Sequence, residues 1–286
     1  MSLGKLQPVV VPKPWGGGHL DHFALDPHTR VGELVVYSQL PQYPVIIEEE
    51  GKTYKAKEYK IQFPFMVKLL SAQEPLSLQN HPADEDIPLL GLEGCGKTEC
   101  WFILAAESSA KIYLGLKEGY DQRIFEKLEE LNNPLSYFNS FSPRPGDIFF
   151  LPAGMVHGTQ GRILFYEIQQ NCDYTFRIFD FGRKRSLNLK EAAQVYRPHV
   201  PLFLHDQKYF ACRYFRFWPV KLEPEKTFSQ RREFPQLITW TGEHAILSVE
   251  DKDINLNFGD TVIMDANVAF AFRAESPGWL ICAASA

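Results

Sequence analysis

The sequence is poor in cysteine, in long apolar runs and in blocks of like charge. It has five cysteines in 286 residues, an odd number without a CxxC pair, which argues against a disulfide framework and favours reduced thiols. It has no run of 18 apolar residues that would predict a transmembrane helix. The formal net charge of −5 argues against a nucleic-acid-binding face. We therefore expect a soluble cytoplasmic protein with neither a nucleic-acid nor a membrane partner.

Short apolar segments separated by Gly, Pro, Asn and Asp make up most of the chain, and this pattern predicts strands. The 22 Phe and 12 Tyr residues suit pleated surfaces. Two helices are predicted: 121–131, with Ile124, Leu128 and Leu131 on one stripe, and 189–196, with Asn188 as its N-cap. Evenly spaced strands with few helices favour β-barrels or sandwiches. The Pro- and His-rich stretch 197–207 is the candidate linker.

One strand-and-turn pattern occurs twice. The segment GDIFFLPAGMVH covers residues 146–157, and GDTVIMDANVAF covers residues 259–270. The second copy has Asp265, Asn267 and Phe270 where the first has Pro152, Gly154 and His157. Because the second copy keeps the turn but lacks the imidazole, we expect the first to carry chemistry and the second to be structural.

Four side chains are candidate metal ligands. Side chains alternate along a strand, so Gln79 and His81 in LSLQNH point the same way. Glu99 in GKTECWFIL lies on the next strand, and His157 follows the turn of the first repeat. Two nitrogens and two oxygens suit zinc and, less selectively, iron, manganese or cobalt.

The motifs in series resemble those of type I mannose-6-phosphate isomerases of the short bacterial and archaeal form, which belong to the cupin superfamily. The resemblance runs from about residue 12 to 190. It is carried by KPWGG (13–17), FPFMVKLLSAQEPLSLQNHPADE (63–85), GKTECWFIL (96–104), PGDIFFLPAGMVHGTQ (145–160) and YEIQQNCDYTFRIFDFGR (166–183).

The fold we expect is mainly β, with two cupin-like jelly-roll barrels. The first covers residues 1–196, carries the metal and has a small helical insertion near 117–140. The second covers 205–286 and is a degenerate barrel without a metal site.

The resemblance also implies the site. It implies one zinc ion held by Gln79, His81, Glu99 and His157, and catalytic roles for Arg177, Lys97, Glu167 and Asp173. It places Trp15 near the pocket, and it departs at Asn80, where a valine is expected. The activity implied is the reversible isomerisation of mannose 6-phosphate and fructose 6-phosphate through an enediol.

Several points stay open at this stage. Either Glu167 or a Lys97–Asp173 relay could move the proton, and the phosphate could bind Lys68, Arg183, Lys184 or Arg185. The oligomeric state is not readable. Two other functions fit parts of the pattern: an iron-dependent cupin oxygenase, which would have no evident need for Arg177, and a non-catalytic cupin that binds a sugar phosphate.

Overall fold

The structure is a computed structural model that describes residues 3–286, and it is mainly β, which confirms the predicted class. In chain order the strands are β1 Leu3–Gln7, β2 Val9–Pro12, β3 Val31–Tyr37, β4 Ile46–Glu49, β5 Lys52–Lys55, β6 Phe65–Ala72, β7 Leu76–Asn80, β8 Glu99–Ala106, β9 Lys111–Leu116, β10 Phe138–Phe141, β11 Ile148–Leu151, β12 His157–Gln160, β13 Ile163–Gln170, β14 Phe176–Phe179, β15 Leu202–Leu204, β16 Phe210–Ala211, β17 Phe215–Leu222, β18 Thr227–Arg231, β19 Gln236–Trp240, β20 His244–Val249, β21 Lys252–Asn257, β22 Thr261–Met264, β23 Ala269–Ala274 and β24 Gly278–Ser285.

The helical elements are short. The α-helices are α1 Asp86–Leu89 and α2 Leu189–Val195, and the 3-10 segments are Asp21–Phe23, Ala56–Glu58, Gln122–Glu130 and Pro134–Tyr137. None of the helices in residues 3–286 has both the length and the apolar character needed to cross a membrane. The second predicted helix is confirmed by α2.

The segment predicted as an amphipathic helix at 121–131 is a 3-10 helix over Gln122–Glu130, and the three residues of the predicted stripe all lie in or against one apolar cluster. Phe125 and Leu128 are its buried residues, while Ile124 and Leu131 are only partly buried. A 3-10 helix has three residues per turn, and side chains three apart therefore share one face. In the 3-10 helix Phe125 and Leu128 therefore share the buried face, whereas a period of 3.6 residues predicts that Ile124 and Leu128 share it.

The described chain forms two compact units. The central unit contains residues 11–33 and 70–206, and the C-terminal unit contains 3–10, 34–69 and 207–286. The proposed domains 1–196 and 205–286 stay a prediction. Within the predicted linker 197–207, Leu202–Leu204 forms β15 and pairs with β11, so this part is not a linker.

Two sheets contribute to the apolar core of the central unit. One sheet has the order β10-β9-β12-β7-β14, and strands β15, β11, β8 and β13 are consecutive in the other. A single buried cluster joins side chains of both sheets, among them Leu76 and Leu114 from the first and Phe149 and Phe165 from the second. The C-terminal unit has its own core, supplied by sheets β16-β17-β24-β19-β22-β1-β4-β5 and β18-β23-β20-β21.

Candidate metal centre and active site

Three of the four predicted ligands come together in the central unit. His81, Glu99 and His157 are buried, and their ligand atoms all lie within 4.8 Å of one another. The two Nε2 atoms are 3.2 Å apart, Glu99 Oε1 lies 3.1 Å from His157 Nε2, and Glu99 Oε2 lies 3.6 Å from His81 Nε2. The convergence that the strand pattern predicted is therefore present.

The turn between β11 and β12 delivers His157 to this cluster. Glu99 begins β8 and pairs with Leu151, the last residue of β11. The chain then reverses through Gly154, which has a φ of 86° and donates its N–H to His81 O at 2.8 Å. A side chain at Gly154 would also meet Val195 O at 2.6 Å, so glycine is required on both counts. The same turn thus carries one histidine and holds the backbone of the other.

Backbone carbonyls fix the tautomer of both histidines. His81 Nδ1 lies 2.8 Å from Tyr174 O, and His157 Nδ1 lies 2.9 Å from Met155 O. Because a carbonyl only accepts hydrogen bonds, Nδ1 must carry the proton in each neutral ring, which leaves a lone pair on each Nε2. Two lone pairs then face each other and the Glu99 carboxylate, an arrangement that favours a bound cation.

The spacing of these donors fits a small divalent metal. Zinc binds nitrogen and oxygen at about 2.0–2.1 Å, so neighbouring ligands of a tetrahedral site are about 3.3–3.4 Å apart. The contacts of 3.1, 3.2 and 3.6 Å lie around that value. In addition, neither oxygen of Glu99 has a hydrogen-bond partner of good geometry within the described residues. The cluster therefore has the chemistry and the size of a metal site.

The electrostatics favour the ligating forms of these side chains. Burial, together with the nearby charge of Lys97, lowers the pKa of His81 to about 3, so its ring is neutral. Burial opposes ionisation of Glu99, but Lys97 and the two histidines hold the pKa of Glu99 well below its usual value. Metal ligands must be deprotonated, and these two groups already are.

Lys97 lies at the edge of the cluster. Its Nζ is 3.3 Å from Glu99 Oε2 and 3.3 Å from His81 Nε2, and the residue is buried. The ammonium therefore compensates part of the carboxylate charge. Lys97 is thus a buried lysine in contact with two of the predicted metal ligands.

Gln79 and Arg177 lie beside His157 in the same sheet. Gln79 on β7 is the register partner both of His157 on β12 and of Arg177 on β14, so the three residues project from one face. Gln79 Oε1 accepts a hydrogen bond from Ser77 Oγ at 3.0 Å. The structure thus places the predicted fourth ligand next to the cluster, and its ligation stays a prediction.

Arg177 is half-buried and only partly paired. Its Nη1 donates to Ser186 O at 3.0 Å, and its Nε is buried without a hydrogen-bond partner in the described part of the chain. Burial and the charge of Arg185 lower the pKa of Arg177, although it stays cationic. Asn188 is the N-cap residue of α2, as predicted, but its side chain makes no capping bond and accepts from Arg177 N at 3.3 Å.

Glu167 contacts Trp101 on the neighbouring strand β8. Its Oε2 accepts a hydrogen bond of 2.7 Å from Trp101 Nε1, its direct partner across β8 and β13. The Trp101 ring in turn packs edge-on against His157, with centroids 5.5 Å apart. Asp173 lies half-buried in the loop before β14. The catalytic roles of Glu167 and Asp173 stay predictions.

The phosphate-binding candidates lie in different surroundings. Arg183 and Arg185 both pair with the Asp180 carboxylate, whereas Lys68 is buried with its Nζ 5.8 Å from the centroid of Tyr43. Lys184 has no role assigned by its surroundings. None of the four is selected by these contacts.

Two residues from the family motifs serve the fold. Trp15 is 5% exposed and packs in the apolar core, so it anchors the N-terminal segment. Asn80, the departure from the family pattern, donates its side-chain amide to Ala192 O at 2.8 Å. Its interaction is therefore with α2 and not with the metal ligands.

Fold and site together define a mainly β protein with a buried cluster of two histidines and a carboxylate that could hold a metal ion. No family model matches the chain. It is 37% identical to a probable mannose-6-phosphate isomerase, GmuF, of Bacillus subtilis strain 168, over 68% of this chain and 69% of the relative. It is 27% identical to the mannose-6-phosphate isomerase ManA of the same organism, over 85% and 87%. The chain therefore belongs to the mannose-6-phosphate isomerase family.

Solved structures show the same fold. The crystal structure of the mannose 6-phosphate isomerase from Bacillus subtilis matches with a TM-score of 0.84 at 23% identity and covers 99% of this chain and 100% of that one. A putative mannosephosphate isomerase from Archaeoglobus fulgidus matches with a TM-score of 0.82 at 18% identity, over 99% and 97%. At these identities the likeness establishes the fold alone.

Proposed function

We propose that this chain is a zinc-dependent aldose–ketose isomerase that interconverts mannose 6-phosphate and fructose 6-phosphate through an enediol. The observation that carries the proposal is the cluster itself: two Nε2 lone pairs and a carboxylate oxygen at contacts of 3.1 and 3.2 Å. The family's named activity supports the substrate. A zinc-bound mannose 6-phosphate isomerase has the same fold, with a TM-score of 0.76 at 16% identity over the full length of both chains.

The ion would be held by His81, Glu99 and His157, with Gln79 as the fourth ligand. When bound, it supplies positive charge next to the sugar oxygens, where the oxyanion of the enediol develops. Arg177 is proposed to stabilise the same charge from the neighbouring strand. Its unpaired Nε and its register position beside Gln79 support this role.

Proton transfer is assigned to the chain's own acids and bases. Lys97 is proposed to exchange a proton with a sugar oxygen, because its Nζ lies beside two metal ligands in a buried site. Glu167 and Asp173 are the candidate bases for the carbon-bound proton. Trp101 holds Glu167 in a fixed orientation, which a general base requires.

The proposal extends to the finer architecture and setting. We propose two cupin-like barrels, the first with the metal and the second, within 205–286, degenerate. The repeat of the strand and turn in 146–157 and 259–270 supports this description. The substrate is a free sugar phosphate, and we propose a cytoplasmic enzyme in which Lys68, Arg183, Lys184 and Arg185 are the candidates for binding the phosphate.

A coupled assay on mannose 6-phosphate tests the proposal. We expect chelation to abolish turnover and zinc to restore it, and we expect Arg177→Ala to reduce kcat by about 10²–10³-fold, since removing one such charge-stabilising donor costs on the order of 3–4 kcal/mol. Arg123→Ala is the matched control, because Arg123 is exposed and forms its ion pair with Asp121, two residues away on the surface.

Full activity after chelation and in Arg177→Ala would contradict the mechanism. Zinc-loaded protein that binds fructose 6-phosphate without turnover would instead support the non-catalytic binding function. Oxygen uptake by iron-loaded protein would support the oxygenase.

A further inference from the structure

We propose that Tyr174 is a positioning residue for the metal centre, because its hydroxyl anchors the loop whose carbonyl orients His81. Tyr174 lies in the loop 171–175, between β13 and β14, and has no role among the predicted site residues. This inference rests on the proposed function, since it concerns how tightly the chain holds zinc.

The two metal-binding histidines are oriented in different ways. His157 Nδ1 bonds to Met155 O, two residues earlier in the same turn. His81 Nδ1 bonds to Tyr174 O, which is 93 positions further along the chain. The orientation of His157 is therefore local, whereas that of His81 depends on where the loop 171–175 lies.

The Tyr174 side chain fixes this loop. Its hydroxyl donates a hydrogen bond to Glu93 O at 3.1 Å and accepts one from Glu93 N at 3.4 Å. Both bonds are therefore to the main chain of Glu93. Cys95 Sγ adds a contact of 3.7 Å to Asn171 O. These bonds join the loop to the segment that leads into Lys97. We call these contacts the Tyr174 clamp. They fix the surroundings both of His81, a proposed ligand, and of Lys97, a proposed catalytic residue.

Loss of the hydroxyl should loosen His81 without removing any ligand. The carbonyl that fixes the His81 tautomer would remain, but the loop that carries it would have fewer anchors. Changes in groups that orient metal-bound histidines typically weaken metal binding by 10–100-fold. Because Tyr174→Phe removes the anchor and not the carbonyl, we expect the lower end, about a 10-fold rise in the zinc dissociation constant.

The experiment uses the full chain stripped of metal and titrated with zinc against a chromophoric chelator. Tyr113→Phe is the matched control, because its hydroxyl bonds Gln160 Oε1 at 2.9 Å in the sheet that carries His157. Glu93→Ala is a second control, since the clamp uses only main-chain atoms of Glu93. Nitrogen-15 NMR of the metal-free protein reports the His81 tautomer, which a loss of general stability would not change.

We expect weaker zinc binding and a mixed His81 tautomer in Tyr174→Phe alone. Zinc affinity equal to the parent's in Tyr174→Phe, or an equal loss in Tyr113→Phe, would overturn the positioning role. A parent chain that takes up no zinc would refute the proposed function itself, so the two failures are distinguishable.

Discussion

The turn at 146–157 in the central unit and the turn at 259–270 in the C-terminal unit have the same backbone but different chemistry. In each turn the glycine has a positive φ, 96° at Gly146 and 83° at Gly259. The aspartate that follows accepts a hydrogen bond from the N–H three residues earlier. These bonds run from Arg144 N to Asp147 Oδ2 and from Asn257 N to Asp260 Oδ2, both at 2.8 Å.

The correspondence continues into the site. Gly154 and Asn267 both have left-handed backbones, with φ of 86° and 63°. Gly154 donates its N–H to His81 O, and Asn267 donates its N–H to Arg232 O. Arg232 in the C-terminal unit therefore corresponds in position to His81 in the central unit. Likewise, Phe270 is buried in the apolar core and occupies the position that corresponds to His157 in the central unit.

The remaining two positions follow from the same register. Gln230 precedes Arg232 by two residues, as Gln79 precedes His81. Ile103 and Trp240 make equivalent backbone bonds to the two turns, so Gln236, four residues before Trp240, corresponds in position to Glu99, four residues before Ile103. In the C-terminal unit the two glutamines bond each other at 2.8 Å. Neutral amides there satisfy one another, whereas in the central unit neither oxygen of Glu99 has a hydrogen-bond partner of good geometry within the described residues.

The largest effect is expected when His157 in the central unit is replaced by the phenylalanine that the C-terminal unit has at the corresponding position. His157→Phe removes one ligand and one of the two facing lone pairs, so zinc binding should weaken by more than the roughly 10–100-fold typical of outer-shell changes. Elemental analysis should find the purified variant nearly free of zinc, and the coupled assay should find it inactive. A full equivalent of zinc in this variant would show that the cluster is not the metal site.

The reverse exchange should cost stability and add no function. Phe270→His replaces a ring that is 3% exposed with a smaller polar group in an apolar core, and we expect a loss of about 2–4 kcal/mol in the free energy of unfolding. Urea denaturation measures it, with the exposed His244→Phe as the control. Unchanged stability, or a second equivalent of zinc, would contradict the description of this copy as structural.

A smaller effect concerns pH and lies in the C-terminal unit. Burial raises the pKa of Tyr37 to about 12 from 10.0. The unfolded chain therefore loses this proton first, and stability that is complete below pH 10 falls as pH rises from 10 through 12. The loss should be about 1.4 kcal/mol at pH 11. Denaturant midpoints at pH 9 and 11 measure it, and Tyr37→Phe should flatten this part of the profile. An equal alkaline loss in that variant would assign the effect elsewhere.

The sequence predicts the parts of the site that repeat with a period or belong to a motif. Alternation along β7, continued one residue past its end, predicts that His81 points the same way as Gln79, and the Gly-Pro turn explains how His157 comes near His81. The orienting carbonyls of Met155 and Tyr174 were not predictable, because every residue has a carbonyl and only the folded loops select two of them. Likewise, the bond from Trp101 to Glu167 depends on the pairing of β8 with β13, which composition does not specify.

Local sequence patterns predict least where long-range packing decides the structure. Residues 34–69 belong to the C-terminal unit although they precede the metal ligands in the chain. Leu202–Leu204 forms a strand within a stretch whose prolines and histidines suggested a linker. β15 pairs with β11, and β4 pairs with β1, which in turn pairs with β22. Local patterns carry no information about such long-range pairings.

The two imidazole Nε2 atoms beside one carboxylate bear on which ions the protein takes up while it is prepared. Such a donor set accepts several first-row transition ions, and affinity rises along the series from manganese to copper whatever the host. The occupant will therefore reflect the ions supplied while the chain folds. Cultures enriched in cobalt or nickel should yield protein carrying those ions, with visible absorption bands that report directly on the geometry around His81 and His157.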